Sequence, residues 1–308
     1  MKKFIAKVML LLLIVVSVDH LFGLCMQYAV NQIQIGGMGR DNYICMRANE
    51  DLLIFGSSRA AHHYNATMLE DALGLSCYNC GEDGNGIILN YGRFLMCKER
   101  KSPKFVLYDL ANGFDLLKND NTQYLGWLRP RYDRVGISEI FKDVDEKEAL
   151  KMQSYMYRFN SRFLQNLIVY FTGISADTGM KGFRPLVGEM DQLKLKLPTE
   201  NTPQEYVFDD LKIKYLNKFI AEVGQEAELI FVYSPIWYGA NKKSIEPVLK
   251  ICKEKNIKFI DFSNDPKYVH NDVYFKDGSH LNDRGADEFT KDLIHVLQTE
   301  YHICADIH

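Results

Sequence analysis

Hydrophobic and polar positions follow two different periods along this chain. Five short runs are nearly continuously apolar: Asp51-Leu-Leu-Ile-Phe-Gly56, then 76–80, 104–110, 228–235 and 258–262. Runs of this length, closed by glycine or polar residues, read as fully buried strands of a parallel sheet. Between them lie stretches with helical spacing near 66–74, 86–99, 241–255 and 283–299, the first with Asn65 placed to cap it. The alternation predicts an α/β fold, a flavodoxin-like parallel five-stranded sheet flanked by helices and joined by right-handed crossovers.

Two regions depart from the alternation. At the amino terminus Lys2, Lys3 and Lys7 precede an uninterrupted apolar stretch from Val8 to Val16, the pattern of a signal anchor or transmembrane helix over residues 1–24. The apolar stretch is shorter than the roughly 20 residues a span needs, so the helix has to recruit Phe4, Ile5 and residues 21–24. The lysines then stay cytoplasmic, and a membrane-anchored domain lies on the extracytoplasmic side. No Ala-x-Ala cleavage site follows, and a mature chain beginning near residue 25 is the alternative. Residues 25–50 read as a polar connector in which Gly36, Gly37 and Gly39 mark a flexible bend. The second departure, about 113–200, reads as an inserted helical cap, with Met152, Met156, Phe159, Phe163 and Leu167 recurring at helical spacing.

Composition narrows the function. A chain of 308 residues can bury one large core, and a net charge of -3 gives no basic surface for nucleic acid. Seven cysteines are an odd number without framework spacing. Cys77 and Cys80 have a redox or zinc spacing, but they fall in an expected strand with no second pair to complete four ligands. The tandem His62 and His63 lack an acidic partner at helical spacing and read as surface polar residues, so no metal and no cofactor are expected.

The chemistry gathers at the two ends of the domain. Gly56-Ser57-Ser58-Arg59 follows the first strand, and Asp277-Gly-Ser-His280 lies in a short loop before the last helix. A serine esterase needs a hydroxyl, an imidazole to take its proton and a carboxylate to orient the imidazole. Ser58, His280 and Asp277 supply those groups, and the carboxyl ends of parallel strands share one edge where distant residues can meet. In the expected cap, arginines alternate with aromatics around Arg129, Arg131 and Arg158. Such a mixture suits carbohydrate stacking and anion clamping, or else arginines lying over a helical core. On the first reading, substitution of an exposed Arg131 alters substrate choice and spares stability.

These blocks resemble the SGNH/GDSL hydrolase superfamily, with Gly56-Ser57-Ser58 in place of Gly-Asp-Ser and Asp277 to His280 matching the last block. Residues 51–308 are thus expected to form an SGNH hydrolase-like domain. The resemblance implies an oxyanion hole from Ser58, Gly81 and Asn112, with Gly84 as the alternative to Gly81. It implies a serine-dependent ester hydrolase or O-acyltransferase acting on acyl esters, with an acylated cell-surface carbohydrate or another ester as substrate. The alternative is a non-catalytic glycan-binding or scaffold protein that keeps the fold.

Overall fold

A computed structural model describes residues 1–175, 179–191 and 205–305. The chain opens with α1 (Lys2–Gln32) and α2 (Gly36–Met46). β1 (Leu52–Gly56), α3 (Ser58–His63), α4 (Ala66–Leu73), β2 (Cys77–Asn79), α5 (Ile87–Lys98), β3 (Phe105–Asp109) and the one-turn α6 (Asn112–Asp115) follow. Four short helices come next: α7 (Ile137–Val144), α8 (Glu146–Lys151), α9 (Tyr155–Phe159) and α10 (Phe163–Thr172). The chain then runs through α11 (Asp210–Val223), β4 (Glu228–Tyr233), α12 (Glu246–Lys255), β5 (Lys258–Asp261) and α13 (Asp283–Thr299). It divides into two compact units, Met1–Met46 with Asn121–Thr178 and Arg47–Asp120 with Gly179–His308.

The second unit carries the sheet, all parallel in the order β2-β1-β3-β4-β5. Alternate residues of each strand feed opposite faces. Leu52 and Ile54 of β1 join Leu107, Ile230 and Val232 in a core closed by Leu69 of α4 and by Phe289, Leu293 and Leu297 of α13. Phe55, next along β1, turns the other way onto Phe94 of α5 and Phe219 of α11. Both faces are therefore covered, which is why the strands read as unbroken apolar runs. From β1 the chain first winds outward to β2 and then returns to β3 on the other side, so the sheet order reverses at the carboxyl ends of β1 and β3. Ligands of open α/β sheets bind in that crevice. Asn65 caps α4, accepting from the Met68 amide at 3.3 Å, as its position in the sequence suggests.

The first unit differs from its sequence reading in two places. Residues 25–32 are not a connector but the end of α1, where Met26, Ala29 and Val30 are buried, and residues 36–46 form α2. The glycines expected to give a flexible bend serve close packing instead. Gly36 has φ +69°, and a side chain on Gly39 would come within 2.2 Å of the Gln34 carbonyl carbon. The single helical face expected across Met152 to Leu167 is broken into pieces. Ser154 starts α9 by accepting from the Tyr157 amide, and a 3-10 turn at Asn160–Arg162 separates α9 from α10. The parts of the expected insertion at 176–178 and 192–200 lie outside the described residues. Helix α1, with mean hydropathy 2.4 in its most apolar window and residues 1–18 all exposed, is long and apolar enough to cross a membrane.

Candidate active site

β1 ends at Gly56 with φ +144°, where a side chain would meet the Asp109 carbonyl oxygen at 2.7 Å, so only glycine lets the chain turn here. Ser57 then leads into α3 and buries its hydroxyl without a hydrogen-bond partner among the described residues. Ser58, the first helical residue, has its side chain turned outward. Its Oγ lies 2.8 Å from His280 Nε2. His280 Nδ1 is 2.9 and 3.0 Å from the two carboxylate oxygens of Asp277.

The loop holding the last two residues is built by Asp277 itself. Its Oδ1 accepts from the amides of Ser279 at 2.8 Å and His280 at 2.9 Å, and the loop is closed by an antiparallel bridge between Phe275 and Leu281. Burial pushes the Asp277 carboxyl up, but its bond to the His280 ring and charge and the two amides outweigh this and hold it below the usual carboxylate range. Asn282 follows at once and caps α13 through the Gly285 amide at 2.8 Å. The loop is thus pinned to the start of a helix whose far face is in the core.

Ser58 and His280 open onto a cavity of about 310 Å³ lined also by Asn112, Phe114, Ile236 and Tyr238. Asn112 turns its Oδ1 to the Gly113 amide at 2.9 Å, and its Nδ2 has no acceptor among the described residues, so an amide donor sits in the cavity wall. The expected glycine donors are not brought there. The Gly81 amide donates to Asn79 Oδ1 at 3.0 Å, a side chain at Gly81 would meet the Ala61 backbone nitrogen at 2.4 Å, and neither Gly81 nor Gly84 lines the cavity. Gly84 instead has φ +66° in the turn beyond.

Sequence reasoning missed the polar floor of the site. Arg59 is buried, donates to the Leu110 carbonyl, lies 3.6 Å from the Asp109 carboxylate and stacks over Tyr233. Asp109 also accepts from the Tyr64 hydroxyl at 2.8 Å and the Ser234 amide at 3.0 Å. Burial raises the Asp109 carboxyl against the pull of Arg59 and these donors.

The two histidines read as surface residues are both buried. His63 Nε2 accepts from the Leu281 amide at 3.0 Å, which leaves Nδ1 to donate to Ser234 Oγ at 3.2 Å. Burial, and then the charges of His280, Arg59 and His62, push the His63 imidazole well below its ordinary range, so it is neutral. His62 packs edge-on against His280 with ring centroids 5.7 Å apart and pairs with Asp83 at 3.0 Å. His62 stands four residues after the serine, about one helical turn along α3, and that spacing is the signal that could have found it.

The arginines of the first unit are engaged within it. Arg131 is 4% exposed and contacts Asn31 Oδ1 at 3.0 Å, Asp41 at 3.5 Å and Asn42. This overturns the expectation of an exposed residue. Arg129 pairs with Glu148 and stacks on Tyr157, while Arg158 pairs with Asp133 and stacks on Tyr132 and Tyr155. The aromatics hold arginine, as in the reading of a helical core covered by guanidinium groups.

No protein-family model matches the chain, and no curated protein sequence matches it. Solved structures do, and they include esterases. A catalytic mutant of an acetylxylan esterase from Geobacillus stearothermophilus is 14% identical, covers 81% of this chain and 95% of its own, and gives a TM-score of 0.41. A family two carbohydrate esterase from Clostridium thermocellum, in complex with cellohexaose, is 9% identical over 83% of this chain and 66% of its own at 0.40. A protein from Desulfitobacterium hafniense, provisionally described as lipolytic and of the G-D-S-L family, is 11% identical over 80% and 99% at 0.40. At these scores the chemistry has to be read from this chain's own side chains.

Proposed function

We propose that this chain is a membrane-anchored serine esterase of the SGNH type, and that Ser58 is its nucleophile. The observation that carries the reading is the unbroken line from Ser58 Oγ through the His280 ring to the Asp277 carboxylate, at 2.8 and 2.9 Å. In this mechanism Ser58 Oγ attacks the ester carbonyl carbon as His280 Nε2 takes its proton. Asp277 holds the ring with Nδ1 protonated and stabilises the imidazolium that forms. The developing oxyanion is received by the Ser58 amide, which has no intrahelical acceptor at the start of α3, and by Asn112 Nδ2. His280 then returns its proton to the leaving alcohol, and water, or a sugar hydroxyl in a transferase, releases the acyl group from Ser58.

A cavity of about 310 Å³ is at the small end of ligand sites and suits a short acyl group with the adjoining part of an acceptor. Tyr238, partly exposed at the cavity wall, offers a flat ring against which a sugar can lie. An acyl ester of a cell-surface glycan is therefore the substrate class we assign, with α1 in the membrane and the sheet unit outside the cytoplasm. The decisive experiment treats purified protein with a serine-reactive phosphonate and maps the labelled peptide. Labelling at Ser58, abolished in Ser58→Ala and accompanied by turnover of activated acetyl esters, is expected. Glycan binding without labelling or turnover would leave the scaffold reading in its place.

A further inference from the structure

Helix α10 carries more apolar surface than the chain covers. It buries one residue, the polar Asn166, while Leu164, Ile168 and Phe171 stand exposed on the opposite side and Ile174 is exposed just beyond it. An apolar row of this kind marks a surface that something covers.

The geometry of α1 says what. From Phe4 to Val18 its uncovered apolar part rises about 22 Å, short of the roughly 30 Å of a hydrocarbon core, and includes Lys7. At Asp19 other chain is already docked on it, since the carboxylate accepts from Ser154 Oγ and the Tyr155 amide at 2.8 Å and from the Met156 amide at 2.9 Å. The missing thickness therefore falls on the stretch of α1 against which α10 packs. There Phe22 meets Phe163, with centroids 5.5 Å apart, and Leu24, Tyr28, Leu167 and Tyr170 line a shared apolar groove of about 450 Å³. The same stretch of α1 exposes Leu21, Leu24 and Tyr28.

We propose that the outward face of α10, Leu164, Ile168 and Phe171 with Ile174, lies in the outer leaflet of the bilayer beside α1, packed against lipid acyl chains. The first unit is then a membrane-seated platform and not a domain on a single-helix tether. The proposal rests on the membrane reading of α1, and its test separates the two.

Full-length protein is placed in phosphatidylcholine vesicles whose acyl chains are brominated, and tryptophan is introduced singly by Leu12→Trp, Phe171→Trp, Ile168→Trp or Lys250→Trp. Each is read against the parent protein, whose Trp127 and Trp237 set the background. Loss of the added emission is expected at positions 12, 168 and 171, with a blue shift, and not at 250 on the exposed side of α12. Quenching at 12 without quenching at 168 or 171 overturns the proposal and leaves the anchor standing. A blue-shifted but unquenched signal at 168 and 171 means that a protein, such as a second copy, covers the face, which also overturns it. No quenching at 12 removes the membrane reading itself.

Discussion

At the scale of single residues, two neighbouring serines have opposite environments. Ser57 is sealed in the floor and Ser58 reaches the His280 ring. If the proposed triad acts as a unit, Ser58→Ala and His280→Ala each lower acyl-ester turnover by roughly three to six orders of magnitude, and the double variant costs little more. Asp277→Asn is milder, because the side chain is about half exposed and water shares its role. Steady-state rates on an activated ester check the series. Equal, additive losses would count against a common unit.

His63 supports a pH prediction. Its imidazole is held neutral by burial, so its folded value lies below the ordinary 6.5 and the unfolded chain binds the extra proton. The stability of the neutral ring is complete above 6.5 and is lost as pH falls below it. His63→Gln keeps an acceptor for the Leu281 amide but cannot titrate. Denaturant melts of parent and variant across this range are expected to show the parent's advantage shrinking on acidification. A constant difference would mean that His63 does not titrate with unfolding.

At the scale of elements, α2 shows how packing overrides a local signal. Three glycines within four positions read as a bend, yet Gly39 is needed for contact with the Gln34 carbonyl, and the helix places Asp41 and Asn42 where Arg131 reaches them. Arg131→Ala withdraws a guanidinium from a buried carboxylate, a loss of up to roughly 3–5 kcal/mol. A lower melting temperature is therefore expected, detectable by calorimetry, with Arg131→Lys intermediate because it keeps charge without the planar fork. An unchanged melting temperature with altered turnover would restore the sequence-based expectation of a specificity residue.

At the scale of the whole molecule, α1 is continuous across residue 25, and its packed end contributes Met26, Ala29 and Val30 to the first unit. Asp19 holds the start of α9. Cleavage near residue 25 would cut the helix within its last third and remove that carboxylate, so the anchor is expected to be retained. Intact-mass measurement on membrane-extracted protein checks this, and a mature chain starting near residue 25 would overturn it. A reporter fused at the carboxyl terminus should be active only outside the cytoplasm if Lys2, Lys3 and Lys7 set the orientation.

What the amino-acid sequence determined by itself is whatever depends on short-range pattern. A strand buried on both faces must be apolar along nearly all its length, so β1, β3 and β4 were legible as continuous runs, and α13 falls at 283–299 because its N-cap and period are local. Parallel topology then brings strand ends to one edge, which made Ser58, Asp277 and His280 readable as one group before any distance was known. Tertiary structure decided the fate of polar groups whose partners are remote. His63 is buried because Leu281 and Ser234 meet it, Arg131 because Asp41 and Asn31 do, and the Gly81 amide is spent on Asn79. A polar side chain is stable inside only when its hydrogen bonds are made there. Periodicity records which face of an element is apolar and carries no information about what will come to lie against it. Helix α10 shows this: Phe163 and Leu167, which the spacing assigns to a packed face, do lie against α1, while Leu164, Ile168 and Phe171 form a second apolar row left exposed.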